Sequence, residues 1–292
     1  MAAKLKGRSK REQIDVLIPA IEKDLGTLPY VIEAVKKHVK HPIGRILIVA
    51  PKRERMVKFC ELKRCTFVDE NTVLPITKND IRYRSRKWDK SGWLFQQLLK
   101  MSGDTLCASK HFLVIDADTV LIRPHVFISG NKTVFYCRNW SQPEYFKTYR
   151  RLLGKKPASP SSFVAHYMLF SKSKLAKLKR TIESKHRTSW YSAILRTMDK
   201  SKPFAFSEFE TYGNFLYSLN PDGVILRKAL NKSLNESMKK MTPKRIETLS
   251  KTYRSISFHR RKGYYRKADT KAMDKFLSWP SMFPPTFRVF QS

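Results

Sequence analysis

The feature that most constrains the fold is a strand, a helix and a second strand packed into residues 14–51. Ile14-Asp15-Val16-Leu17-Ile18, closed by Pro19, is apolar, β-rich and short enough for a buried strand. Pro29 marks the start of a helix on which Val31, Ala34, Val35, His38 and Val39 share one face. Arg45-Ile46-Leu47-Ile48-Val49-Ala50 then reads as a second strand ended by Pro51. A unit of this kind implies a right-handed crossover between parallel strands.

The alternation continues. A helix is expected over 53–64, a short strand at 66–68, and a helix over 88–101 that Gly103 can terminate. His111-Phe112-Leu113-Val114-Ile115 reads as a fourth strand and runs directly into Asp116-Ala117-Asp118. Repeated units of this type predict an α/β fold with a mostly parallel central sheet, in which ligands bind beyond the carboxyl ends of the strands. Further on, a strand at 133–137, a helix at 143–153 before Gly154 and a strand at 162–170 are expected. Helical stripes follow through Leu175, Leu178 and Ile182 and through Trp190, Ile194 and Met198. A helix from Ser207 to about Leu219 ends in the turn Asn220-Pro221-Asp222-Gly223. Val224–Leu226 and Ser255–His259 are short strand candidates around a basic helical segment. Without repeats or a low-complexity linker, the chain divides into a basic arm at 1–13, one domain at 14–279 and a tail at 280–292.

Asp116 and Asp118 are separated by one residue, so on extended backbone both side chains face the same way and can share a cation. Hard oxygen donors suit Mg²⁺ or Mn²⁺, which usually share their coordination sphere with substrate phosphates. The bland alternative is a loop that favours aspartate. The apolar strand before the pair and Val120-Leu121-Ile122 after it favour the metal.

With this pair the sequence resembles the GT-A class of nucleotide-sugar glycosyltransferases, in particular a group of poorly characterised bacterial proteins assigned to it. The segments that carry the resemblance are Val16-Leu17-Ile18-Pro19 with Asp24, Gly92-Trp93-Leu94-Phe95-Gln96-Gln97-Leu98-Leu99-Lys100 and Ile115-Asp116-Ala117-Asp118-Thr119. His166-Tyr167-Met168-Leu169-Phe170 and Ser207-Glu208-Phe209-Glu210-Thr211-Tyr212-Gly213 complete them, and together they span residues 14–260. The resemblance implies a GT-A, Rossmann-like domain that moves a sugar from a nucleotide donor, UDP-linked by expectation, to a glycan, a lipid-linked acceptor or a cell-surface polysaccharide precursor. It implies Asp118 as the metal ligand and Asp116 as a ribose or outer-sphere contact, with Pro19, Asp24, Gln97 and Lys100 beside the donor. It also implies that a late histidine completes the metal site. His259 is the candidate, although beside Arg260 and Arg261 it reads equally as solvated.

Trp93, Gln96, Gln97 and Lys100 fall on one helix face, which either meets sugar and phosphate or is plain surface over a core that takes Trp93. Glu210 is the first candidate for catalytic base and Glu208 the second. Against this, Ser207-Glu208-Phe209-Glu210 also has the S-x-x-E form of a capping box. His166, alone in an apolar strand, reads as a hydrogen-bonded core residue.

Charge supplies the remaining constraint. Lys and Arg number 59 against 24 Asp and Glu, a net of +35, which calls for an anionic partner or surface. Between Arg227 and Lys275 there are 16 basic and 4 acidic residues, interleaved with Tyr253, Tyr264 and Tyr265. Such a stretch suits peripheral contact with an anionic membrane or a charged acceptor. It equally suits nucleic acid, so the runner-up reading is a nucleic-acid-associated protein, in the form of a metal-dependent nuclease. No GxGxxG, GxxxxGK, GxSxG or HExxH occurs, which argues against a dinucleotide site, a P-loop, a serine hydrolase of the usual α/β type and a zincin. Cys60, Cys65, Cys107 and Cys137 have neither metal spacing nor the density of a disulfide scaffold. With no apolar run long enough for a span or a signal peptide, a cytoplasmic protein is expected.

Overall fold

Residues 14–19 fold as the expected buried strand, and the central sheet is built around it. The computed structural model describes residues 12–140 and 142–258. Its strands are β1 (Ile14–Pro19), β2 (Ile43–Ala50), β3 (Thr66–Asp69), β4 (His111–Ile115), β5 (Thr119–Leu121), β6 (Ile128–Ser129), β7 (Lys132–Cys137), β8 (Tyr167–Ser171), β9 (Val224–Lys228), β10 (Asn231–Leu234) and β11 (Ser255–Phe258). Its helices are α1 (Leu28–His38), α2 (Glu54–Lys63), α3 (Ser91–Met101), α4 (Gly103–Leu106), α5 (Pro143–Leu153), α6 (Lys172–His186), α7 (Trp190–Thr197), α8 (Glu208–Leu219) and α9 (Pro243–Ser250).

The central sheet has the order β3-β2-β1-β4-β8, parallel throughout except for β8, which runs antiparallel to β4. The fold is therefore α/β with a mostly parallel sheet, as the βα alternation implies. Side chains alternate across β1. Leu17 packs into an apolar layer with α3, α5, α6, α7 and α8, whereas Val16 and Ile18 pack with α1 and α2 on the other face. Helices on both faces explain why the strands read as continuous apolar runs. Strand order reverses between β1 and β4, the kind of switch point beyond whose carboxyl strand ends open α/β sheets bind ligands.

Two expected boundaries move. The helix at 88–101 begins only at Ser91, because residues 84–90 are held in a loop by the Arg84–Asp89 bridge and the Lys90 N–H to Tyr83 carbonyl bond. The strand at 162–170 begins only at Tyr167. Ser162 is bonded to Arg138 instead, and His166 is left-handed at φ 68°. β7, β9 and β11 form where strands are expected at 133–137, 224–226 and 255–259, and they group with unread strands into two small sheets, β10-β11-β5 and β6-β7-β9, so that β11 brings the late segment alongside the chain that leaves Asp118. Phe258 N–H donates to the Asp118 carbonyl at 2.9 Å.

Residues 1–11 of the basic arm at 1–13, residues 259–279 of the domain expected at 14–279 and the tail at 280–292 lie outside the described residues. All four cysteines are free thiols, and no helix among the described residues is long and apolar enough to cross a membrane.

Candidate active site

Asp116 follows the last residue of β4, and a turn closed by Thr119 N–H on the Asp116 carbonyl carries the chain past Asp118 into β5. The pair thus stands at the carboxyl edge of the sheet, beside the strand reversal. Lys100 comes to it from the last turn of α3. Its Nζ is 2.6 Å from Asp116 Oδ1 and 2.9 Å from Glu208 Oε1, with the Phe209 ring 4.7 Å away. Asp116 Oδ2 lies 3.1 Å from His166 Nδ1. Four elements therefore meet here: β4, α3, the residue before β8, and the first turn of α8.

The electrostatics follow from this placement. Burial opposes ionisation of Asp116, but Lys100 and His166 outweigh it and hold the carboxyl well below the usual range. Burial likewise opposes the Lys100 charge, and the Asp116 and Glu208 carboxylates overcome it and push the ammonium up. Glu208 is pushed up, first by burial and further by the Asp116 charge, against the pull of Lys100. Glu208 is 1% exposed, and its Oε2 has no hydrogen-bond partner among the described residues.

Asp24 sits in the short turn after β1, where its Oδ2 accepts the Ile21 N–H at 2.9 Å. Its carboxyl rises to about 6, chiefly through burial, with the Asp118 and Asp116 charges adding to the rise. Asp24, Asp116 and Asp118 thus form one negative neighbourhood at the ends of β1 and β4. Among the described residues no three carboxylate, imidazole or thiol groups converge as a ready-made metal cage. Mg²⁺ and Mn²⁺ do not need one, since one or two carboxylates, waters and substrate phosphates suffice. Both Asp116 oxygens are engaged by Lys100 and His166, so the chemistry of the donor set fits an ion held by Asp118 with Asp116 behind it. His259, the expected further ligand, lies outside the described residues.

Gln97 is buried and donates its amide to the Trp93 carbonyl at 3.0 Å, so that N–H serves its own helix. Trp93 packs edge-on against Phe204, with ring centroids 5.3 Å apart. Pro19 is buried at the end of β1, paired with Val49. Glu210 is fully buried. Its Oε2 accepts from Ser162 Oγ at 2.7 Å and the Phe163 N–H at 3.1 Å, and its Oε1 accepts from Asn214 Nδ2 at 3.1 Å. Only half of the capping box is present: Ser207 Oγ accepts the Glu210 N–H at 3.2 Å, while the Glu210 carboxylate turns away to tie the 162–163 segment to α8. Of the two glutamates, Glu208 is the one joined to Asp116 through Lys100.

His166 is the site residue that sequence reasoning placed in the core. The antiparallel pairing of Tyr167 with Ile115 puts His166 opposite Asp116, and the Asp116 N–H donates to the His166 carbonyl at 2.9 Å. Nothing in the local sequence signals that pairing.

The model of a family of unknown function, DUF6492, matches residues 11–253. A search of the curated proteins finds no match. Similar solved structures include mouse xyloside xylosyltransferase 1, at 12% identity and a TM-score of 0.46 over 84% of this chain and 97% of that one. The bifunctional glycosyltransferase WbbM gives 14% and 0.49 over 85% of this chain and 46% of that one. The galactosyltransferase LgtC, solved with donor and acceptor sugar analogues, gives 13% and 0.45 over 90% of this chain and 94% of that one.

Proposed function

We propose that this chain, which belongs to the DUF6492 family, is a divalent-cation-dependent glycosyltransferase that takes its sugar from a nucleotide donor, by preference UDP-linked, and passes it to a hydroxyl of a glycan or lipid-linked acceptor. The observation that carries this reading is the position of Asp116 and Asp118 at the carboxyl end of β4, at the strand reversal, with Asp116 held by Lys100 and His166. The motif resemblance drawn above supplies the reaction class.

Each residue then has a physical task. Lys100 and His166 keep Asp116 ionised and fixed in orientation, which leaves Asp118 as the direct ligand. When bound, the divalent ion neutralises charge on the departing nucleoside diphosphate. Asp24 closes the negative neighbourhood from the β1 side. Glu208 offers Oε2 as proton acceptor, and the raised affinity of its carboxyl for a proton suits that role. In the transfer the acceptor oxygen bonds to the anomeric carbon, the bond from that carbon to the diphosphate breaks, and the hydroxyl proton passes to Glu208.

The test is thermal unfolding of the full chain with UDP or GDP, with and without Mn²⁺. A nucleotide at 100 times its dissociation constant adds about 2.7 kcal/mol of stability. Stabilisation is expected with metal and is expected to vanish with EDTA or in Asp118→Asn. Equal shifts without metal overturn the ligand assignment. Tight oligonucleotide binding with a steep salt slope, and no nucleotide response, favours the nucleic-acid reading instead.

A further inference from the structure

A cavity of about 540 Å³ opens at the amino end of α3, lined by Lys78, Arg82, Arg84, Asp89, Gly92 and Trp93 among others. We propose that it is a subsite for an acceptor bearing at least two negative charges, phosphate or carboxylate, a proposal that rests on the glycosyltransferase reading above.

Three observations point there. First, the segment that carries the cations is anchored by the fold. Ile81 and Tyr83 are buried while Arg82 and Arg84 are exposed, and the Tyr83 N–H donates to the Ile81 carbonyl at 3.0 Å in a tight turn about Arg82. Tyr83 anchors the segment: its hydroxyl donates to the Lys202 carbonyl and accepts the Ala205 N–H at 3.0 Å, its carbonyl accepts the Lys90 N–H at 2.9 Å, and Trp88 packs edge-on to its ring. Arg82 and Arg84 both line the cavity, and their like charges are relieved by a multivalent anion bound there. Second, the local charge is one-sided. Residues 78–90 hold six Lys or Arg against Asp80 and Asp89. Asp89 is occupied, with its Oδ1 accepting the Ser91 N–H at 2.8 Å and Arg84 across the β-bridge. Third, the cavity is linked to the reaction centre. α3 begins at its wall with Trp93 and carries Lys100 to Asp116 at its far end, seven residues or about 10 Å further along the axis. Trp93 supplies an apolar face for a sugar ring between the anion and the centre.

The test uses the full chain and two probes in EDTA, so that no metal-bridged donor site contributes: inorganic tripolyphosphate, and trigalacturonic acid, which carries its charges as carboxylates on a sugar backbone. Binding is followed by calorimetry for the wild type, for Arg82→Ser/Arg84→Ser, and for Lys177→Ser/Arg180→Ser in the basic cleft on α6. The proposal expects the arginine pair to weaken at least one probe by about tenfold or more, equivalent to 1.4 kcal/mol, while the α6 pair changes little. Which probe binds more tightly distinguishes phosphate from carboxylate. Thermal unfolding checks that both variants are folded, and Trp93→Phe, which keeps the core contact, gives a second variant with weakened trigalacturonate binding. Equal losses in the two double variants, or no binding of either probe to the wild type, overturn the proposal. So does a single-stranded oligonucleotide that binds more tightly than both probes through the same arginines. The Mn²⁺–UDP response of the arginine variant is measured in parallel and is expected to persist. Its absence in the wild type strikes the glycosyltransferase reading, whereas loss of the probes alone strikes only the subsite.

Discussion

Lys100 Nζ lies 2.9 Å from Glu208 Oε1, across 108 residues of sequence, and the same ammonium is 2.6 Å from Asp116. One buried cation therefore compensates two carboxylates. Removing that cation leaves both carboxylates as uncompensated buried charge, which costs roughly 3–5 kcal/mol. Lys100→Met is expected to unfold at lower urea by that amount at neutral pH. The loss should shrink below the carboxylate range, where protonation removes the repulsion. The double variant Lys100→Met/Glu208→Gln should recover part of it, and a urea titration of both variants at two pH values checks the set.

Glu208→Gln isolates the chemistry from the packing. Glutamine keeps a carbonyl oxygen for Lys100 but cannot accept a proton as a carboxylate does. Turnover is expected to fall by ~10²–10⁴-fold, the usual contribution of general-base help. Metal-dependent nucleotide binding should survive. Retained turnover would falsify the proton-acceptor role and leave Glu208 as a partner of Lys100 alone.

Glu210 gives the opposite pattern. Its oxygens accept from Ser162, Phe163 and Asn214, and glutamine in its place sets an N–H₂ against at least one of those donors. Turning the Asn214 amide to compensate would cost its bonds to Ser159 and the Glu210 carbonyl. An unsatisfied buried donor costs about 1–3 kcal/mol, so Glu210→Gln is expected to lose stability of that order. Burial pushes the Glu210 carboxyl up to about 7 despite the three donors. The folded state thus holds its proton more tightly than the unfolded state. The stability from this group is complete below the unfolded value and is lost as pH rises through about 7. A wild-type minus Glu210→Gln stability difference that is flat from pH 4 to 8 would count against this titration.

The fold was legible in the sequence where a strand is buried on both faces and followed by a helix. β1, β2 and β4 read as apolar runs because helices cover both sides of the sheet, and Gly154 marks the end of α5 because its φ of 70° suits glycine. Asp116 and Asp118 were legible because a strand runs straight into them. The partners of Asp116 were not: Lys100 reads as one cation on a polar helix face, and its burial comes from packing of α3 against the sheet and α8, which is set in three dimensions. Glu210 stands out through its S-x-x-E spacing, yet its carboxylate answers to residues 162 and 163, which are close only in three dimensions. The direction of β8 was equally hidden, because an apolar run carries no information on whether it pairs parallel or antiparallel.

That hidden pairing sets the role of His166. Its φ of 68° lies in the left-handed region, which costs a non-glycine residue about 1–2 kcal/mol, and its Nδ1 reaches Asp116 Oδ2 at 3.1 Å. The backbone strain and the side-chain contact separate by substitution. Glycine relieves the strain and deletes the imidazole, so His166→Gly is expected to unfold near the wild-type temperature while its Mn²⁺–UDP response weakens, because Asp116 has lost one of its two anchors. Alanine deletes the same contact and keeps the strain, so His166→Ala should be less stable than His166→Gly by about 1–2 kcal/mol with a similarly weak nucleotide response. Asparagine tolerates the left-handed conformation and keeps a donor, and is expected to retain more of the response than either. If all three variants bind nucleotide as the wild type does, the imidazole contact contributes to folding alone, and Lys100 by itself orients Asp116.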